Sequence, residues 1–137
     1  MPRGKLPEMM RFIRTVSERH DLRIPNVFHA GDGNIHPILM CDEEDPQNVQ
    51  KVRLASQEIL EYCIDVGGTI TGEHGVGGEK LHLMEKMFNP ATIDTFKRIK
   101  ITFDPDRRIN DAKKIPSDKT FVELLKPIAA NVPGGAM

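Results

Sequence analysis

His29-Ala30-Gly31-Asp32-Gly33-Asn34-Ile35-His36 places two histidines on either side of an Asp-Gly pair. Asp-Gly between apolar runs predicts a tight β-hairpin, because both central residues of a type I′ turn need positive φ. With Asp32-Gly33 at the tip, Gly31 faces Asn34, Ala30 faces Ile35 and His29 faces His36; a four-residue loop over 31–34 keeps the same opposition. Residues directly opposed in an antiparallel pair share a face, with Cβ atoms about 4.5–5.5 Å apart. Two imidazoles at that spacing can reach one cation through bonds of about 2.0–2.1 Å.

Downstream, Gly67-Gly68-Thr69-Ile70-Thr71-Gly72-Glu73-His74-Gly75-Val76-Gly77 supplies a carboxylate and a third histidine within a glycine-rich bend. Two histidines and one carboxylate form a common open metal set that leaves positions for water or substrate. Three of the five histidines fall in these two motifs, so the motifs say more together than apart. Glu73 and His74 are neighbours, and in a regular strand they would face opposite ways. Both serve one site only if the backbone bends between them or a ligand spans it.

The bulk properties narrow the function. At 137 residues the chain is one domain or part of a larger one. A net charge of −1 argues against a nucleic-acid footprint, and with no Trp and one Tyr there is no aromatic platform for bases. Cys41 and Cys63 form no paired framework and read as reduced cytosolic thiols. No apolar run reaches the length of a transmembrane helix, and residues 1–5 lack an apolar signal core. Arg3 and Lys5 sit among structured-looking residues, which reads as the middle of a protein. These features point to a cytoplasmic protein.

Around the hairpin, Leu6, Met9, Met10, Ile13 and Val16 mark one face of a helix over 7–20 with Pro7 in its first turn. The hairpin strands run over 24–29 and 34–40, the second interrupted or at an edge where Pro37 removes a donor. Asp45 and Pro46 open a second helix, with Val49, Val52, Ala55, Ile59, Leu60, Cys63 and Val66 inward and Gly67 as its stop. A short third strand is expected over 68–71, then helices over 79–88 (Leu81, Met84 and Phe88 inward) and 91–101 (Ile93, Phe96 and Ile99 inward). Residues 110–113 should be extended, and 116–137 should form a peripheral tail with a short amphipathic piece over 121–125. The order predicts an α+β fold, a small antiparallel sheet with helices on one face. Three strands are few for a sheet, so the fold looks incomplete by itself.

Several stretches resemble one family: Pro2-Arg3 with Leu6-Pro7-Glu8, the whole of 26–37, the whole of 67–77, Lys80, and 99–105. In order and spacing, residues 1–115 resemble the C-terminal cap of FAD-linked oxidases of the vanillyl-alcohol-oxidase type, in the branch of glycolate oxidase flavin subunits and D-lactate dehydrogenases. The resemblance implies a ferredoxin-like cap domain that is incomplete without its FAD-binding domain. It also implies oxidation of a small 2-hydroxy acid to the 2-oxo acid, with hydride passing to FAD. Carried over, His29, His36 and Glu73 would bind a divalent metal, and His74 would take the hydroxyl proton. Two imidazoles and a carboxylate suit zinc, manganese or iron. Arg3, Lys5 and Asn34 are the candidate substrate-binding residues, Arg3 being suited to bidentate grip of a carboxylate. Gly75 and Asn110 are the candidate flavin contacts. Two positions depart from the family: Asn110-Asp111-Ala112-Lys113 stands where it has Asn-Pro-Gly-Lys, and Ile38 stands where hydroxyglutarate-type relatives have Asn. The second departure favours glycolate or lactate. No dinucleotide-binding glycine motif follows a strand here, so the chain alone should bind no FAD and turn nothing over. The implied partner is an FAD-binding domain or subunit, with peripheral attachment to the inner membrane through an oxidase complex as an alternative to a free cytoplasmic state. An apolar face left for that partner would drive self-association.

Plainer roles compete at each position. His29 and His36 can simply hydrogen-bond the backbone of a hairpin, and Asp32 and Asn34 are turn formers. His20 and His82 read as surface, the methionines as core filler. Two other functions remain open: a stand-alone metal-binding module or metal-dependent hydrolase built on His29, His36 and Glu73, and a structural remnant that has lost its metal.

Overall fold

Leu6–His20 forms the first helix, α1, after a 3-10 turn over Arg3–Lys5. The computed structural model describes residues 1–111 and 113–116; the greater part of the expected tail and its amphipathic piece lie outside the described residues. Two compact units make up the chain, Met1–Gly75 and Val76–Met137.

In the first unit the apolar stripe of α1 is the one the spacing predicts: Met9, Ile13 and Val16 are buried. The helix ends where Asp21 adopts φ 51° and the Leu22 N–H reaches back to Ser17 O at 3.0 Å. Strands β1 (Asn26–His29) and β2 (Asn34–Pro37) follow as an antiparallel pair. Bonds from Ile38 N–H to Pro25 O and from Met40 N–H to Arg23 O extend the ladder past Pro37. Helix α2 (Pro46–Asp65) begins at Asp45, whose side chain accepts from Gln47 N–H at 2.9 Å. It stops as expected, with Gly67 N–H on Ile64 O and Gly68 N–H on Cys63 O. Met9, Ile13 and Val16 pack with Leu22, Ile24, Ala55 and Ile59, and Ile35 and Leu39 of the hairpin lie against this core. Tyr62 stacks on Phe12 with ring centroids 3.9 Å apart. Burying a side chain such as Ile13, 1% exposed, stabilises the fold by about 1.5–3 kcal/mol.

The hairpin register differs from the expected one. His29 pairs with Asn34, Phe28 with Ile35, Val27 with His36 and Asn26 with Pro37. The loop is residues 30–33, with Asp32 N–H on His29 O and Gly33 N–H on Ala30 O. Of Asp32 and Gly33 only the glycine has positive φ, +71°. A type I′ turn needs it at both, so the chain takes the longer loop. The slip is two residues, and a two-residue slip preserves which face each side chain occupies.

The third strand is not formed. Residues 68–71 make a bend, because their polar groups are satisfied locally rather than by a ladder. The Cys63 thiol reaches Thr69 O at 3.4 Å, the Thr69 hydroxyl donates to Thr71 O, and Ile70 is buried.

In the second unit the helix expected over 79–88 is broken into a 3-10 turn (Leu81–Leu83) and a single turn, α3 (Met84–Met87). Leu81, Leu83 and Met84 are buried. Helix α4 (Pro90–Phe103) is capped by the Asn89 side chain, which accepts from Thr92 N–H at 2.9 Å. Ile93 is buried and Phe96 meets Phe88 edge-on, whereas Ile99, expected inward, is exposed. After α4 the buried Asp104 carboxylate accepts from Lys100 Nζ and from the N–H groups of Arg108 and Ile109. The chain turns at Asn110 instead of extending: Asn110 has φ 45° and its carbonyl accepts from Lys113 N–H.

Candidate metal centre

The hairpin puts His29 at the end of β1 and Asn34 and His36 in β2, all on one face. The rings of His29 and His36 lie with centroids 5.5 Å apart and nearly perpendicular. Glu73 and His74 arrive on the bend after residue 71, which closes when Gly75 N–H donates to Thr71 Oγ1 at 2.8 Å. That turn supplies the backbone bend their adjacency requires, and both side chains point toward the hairpin.

Glu73 Oε1 is the focus. It lies 2.8 Å from His36 Nε2, 3.9 Å from His29 Nε2, 4.0 Å from His74 Nε2 and 2.7 Å from Asn34 Nδ2. Asn34 Nδ2 also lies 3.2 Å from His36 Nε2, and the His36 and His74 rings are 5.2 Å apart. The His29, His36 and Glu73 ligand atoms all lie within 4.8 Å of one another. Donors held at about 2.0–2.2 Å from one ion lie about 3–4 Å apart. Two imidazole nitrogens and a carboxylate oxygen therefore fit a divalent ion with small adjustment, and the chemistry of the set suits zinc, manganese or iron. Thiolate is not part of it: burial pushes the Cys63 thiol up, away from the thiolate form, and its Sγ is engaged with Thr69 O.

His36 is the most enclosed of the three imidazoles, its side chain 24% exposed, while His74 is 74% exposed. His74 thus stands at the open side, its Nε2 4.0 Å from Glu73 Oε1, next to a set that would hold an ion.

The remaining candidate residues are placed less centrally. Arg3 leans its Cγ on the hairpin tip near Gly33. Lys5 is engaged with Glu8 at 2.8 Å. Lys5 and the Tyr62 hydroxyl, 2.6 Å from Glu8 Oε1, hold the Glu8 carboxyl below its ordinary value, and Glu8 in turn raises the tyrosine. Lys5 is thus tied into the α1–α2 packing. Gly75, at φ +83°, follows His74 in the bend. Asn110 belongs to the second unit. Two contributors were not singled out from the sequence. Thr71 closes the bend through its hydroxyl, a local motif visible in a threonine four residues before a glycine. Gly72 gives Asn34 room: a Cβ there would fall 2.7 Å from Asn34 Oδ1.

Residues 1–113 match the family described as FAD linked oxidases, C-terminal domain. The glycolate oxidase subunit GlcD of Escherichia coli K12 is 44% identical over 117 residues, covering 85% of this chain and 23% of that protein. The Bacillus subtilis protein of the same name is 37% identical over 118 residues, 86% of this chain and 25% of that protein. The mitochondrial D-lactate dehydrogenase [cytochrome] of Arabidopsis thaliana is 31% identical over 121 residues, 88% and 21% respectively. The chain spans about a quarter of the length of the curated relatives it matches. It belongs to the family of C-terminal domains of FAD linked oxidases.

Proposed function

We propose that this FAD-linked oxidase domain forms the substrate side of a flavin-dependent 2-hydroxyacid oxidoreductase, working with an FAD-binding domain, and that its substrate is a small acid such as glycolate or D-lactate. The observation that carries the reading is the placement of Glu73 Oε1 among the Nε2 atoms of His29, His36 and His74. His29, His36 and Glu73 would hold a divalent ion, which supplies a docking point for the acid's hydroxyl and carboxylate oxygens and lowers the hydroxyl pKa. FAD supplies the hydride acceptor. This chain's residues do the rest. His74, exposed beside the set, receives the hydroxyl proton at Nε2, a task for which an imidazole is suited near neutral pH. Arg3, near the hairpin tip, is within the same unit for pairing with a carboxylate. Ile38, where a larger diacid would want a polar partner, favours a short substrate. The names of the relatives, glycolate oxidase subunit and D-lactate dehydrogenase, agree with that size class.

Val27, Phe28, Ile38 and Met40 of the hairpin region are about half exposed. Val27 and Phe28 are neighbours on β1 and lie on opposite faces, so apolar surface is left on both sides of the hairpin for a covering domain to shield.

The test is a chimera in which residues 1–113 replace the matching segment of the E. coli glycolate oxidase subunit. Glycolate or D-lactate should bleach its flavin and reduce an added dye, and His74→Ala should lower kcat about 10²–10⁴-fold. A chimera that binds flavin but is reduced by neither acid, nor by any 2-hydroxy acid, would overturn the proposal. So would turnover of these acids by the chain alone.

A further inference from the structure

Asn34 was expected among the substrate-binding residues, yet its amide faces inward. One atom, Nδ2, approaches both Glu73 Oε1 at 2.7 Å and His36 Nε2 at 3.2 Å. His36 Nε2 is itself 2.8 Å from Glu73 Oε1, and its one lone pair is the one an ion would take, so the donation that counts is the one from Asn34 Nδ2 to Glu73. The other end of the amide is backed by the chain: Gly72 passes so near that a Cβ there would fall 2.7 Å from Oδ1 and 3.0 Å from Cγ. The Asn34 backbone is fixed by pairing with His29 in the ladder. Glu73, by contrast, sits on a bend with its side chain half exposed, where a free carboxylate would sample several rotamers.

We infer that Asn34 is a positioning residue: it acts through Glu73, holding that carboxylate in the orientation that completes the His29–His36 set, and does not itself touch substrate. The inference rests on the metal-binding reading above. Charge-assisted donation from a strand-anchored amide is how one motif would preorganise a ligand that belongs to the other, 39 residues away in sequence. Gly72 belongs to the same device, since only a residue without a side chain leaves the amide its place.

The experiment is a double-mutant cycle on Zn²⁺ affinity, measured by competition with a chromophoric chelator on the full chain, with Co²⁺ absorption as a second readout. Asn34→Ala, or Asn34→Ser if the first fails to fold, should weaken Zn²⁺ binding by about 10–100-fold and shift the Co²⁺ ligand-field bands while leaving the thermal melt in place. In a Glu73→Ala background the same substitution should cost nothing further, because the group it acts through is gone. Equal losses in both backgrounds would show that Asn34 meets the ion or its ligand directly, and an unchanged affinity in Asn34→Ala and Asn34→Ser would show that it positions nothing; either overturns the inference and spares the metal site. If wild-type chain binds Zn²⁺ no better than a His29→Ala, His36→Ala variant, the metal reading fails and this inference falls with it.

Discussion

A methyl group at position 72 would bring its carbon to 2.7 Å from Asn34 Oδ1, 3.0 Å from Cγ and 3.2 Å from Nδ2. Non-bonded heavy atoms settle at about 3.5–4.0 Å, so the amide must retreat by roughly 0.8 Å or more. The obstructing group is the end of a short side chain rather than backbone, so the retreat disturbs the site before the fold. Its first casualty is the 2.7 Å bond to Glu73 Oε1. A hydrogen bond to a charged partner contributes about 1.5–3 kcal/mol when well enclosed; at a half-exposed carboxylate the lower end applies. Expressed as metal affinity, losing an outer-shell partner costs about 10–100-fold. Gly72→Ala is therefore expected to weaken Zn²⁺ binding by that factor, read by chelator competition, while circular dichroism and the melting temperature stay close to wild type. A folded Gly72→Ala chain with wild-type Zn²⁺ affinity would refute the reasoning, because it would show that neither the close approach nor the amide bond matters to the ion.

Other outcomes follow from the fold. Ile13→Ala should cost about 2–5 kcal/mol in urea denaturation, since it empties the centre of the α1–α2 contact. Gly33→Ala should destabilise the hairpin by about 1–2 kcal/mol from the left-handed backbone alone, and its Cβ would meet Met1 O at 2.1 Å. Asn89→Ala removes the cap of α4 and should cost about 1 kcal/mol. Lys100, then the Ile109 and Arg108 amides, hold the Asp104 carboxyl below its ordinary value of 3.8. Its contribution is therefore present above pH 3.8 and lost as pH falls through the lower folded value. Melts taken between neutral pH and the acid limit should show a steeper acid loss in wild type than in Asp104→Asn.

The legible parts of the sequence were those whose signal survives an error of detail. Asp-Gly permits a type I′ turn without requiring it, and the chain takes the looser four-residue loop over 30–33. Yet His29 and His36 still share a face, since the slip moved the register by two. α1 and α2 were readable from their apolar spacing, from Pro7 and the Asp45-Pro46 start, and from the glycine stop. Residues 68–71 were not, since Thr-Ile-Thr has strand propensity and only the local bonds of Thr69 and Cys63 decide for a bend. The approach of the bend to the hairpin is a tertiary fact, and so is the inward turn of Asn34; neither spacing nor propensity encodes them. The Lys5–Glu8 pair is an i,i+3 contact within reach of sequence reading; what spacing does not encode is that Tyr62, 54 residues from Glu8, joins it. Ile99 keeps the helical period of α4 but not its burial: Ile93 is buried and Phe96 meets Phe88, whereas Ile99 is exposed.

The most direct measurement is X-ray absorption at the zinc edge of the chain loaded with one equivalent of Zn²⁺. Two imidazole nitrogens, with the remaining ligands oxygen, all at about 2.0–2.2 Å and with no sulfur, are expected. One of the imidazoles should be lost in His29→Ala, and another in His36→Ala. A sulfur shell from Cys41 or Cys63, or a spectrum unchanged in the His29→Ala, His36→Ala double variant, would contradict convergence of the hairpin and the glycine bend on one ion.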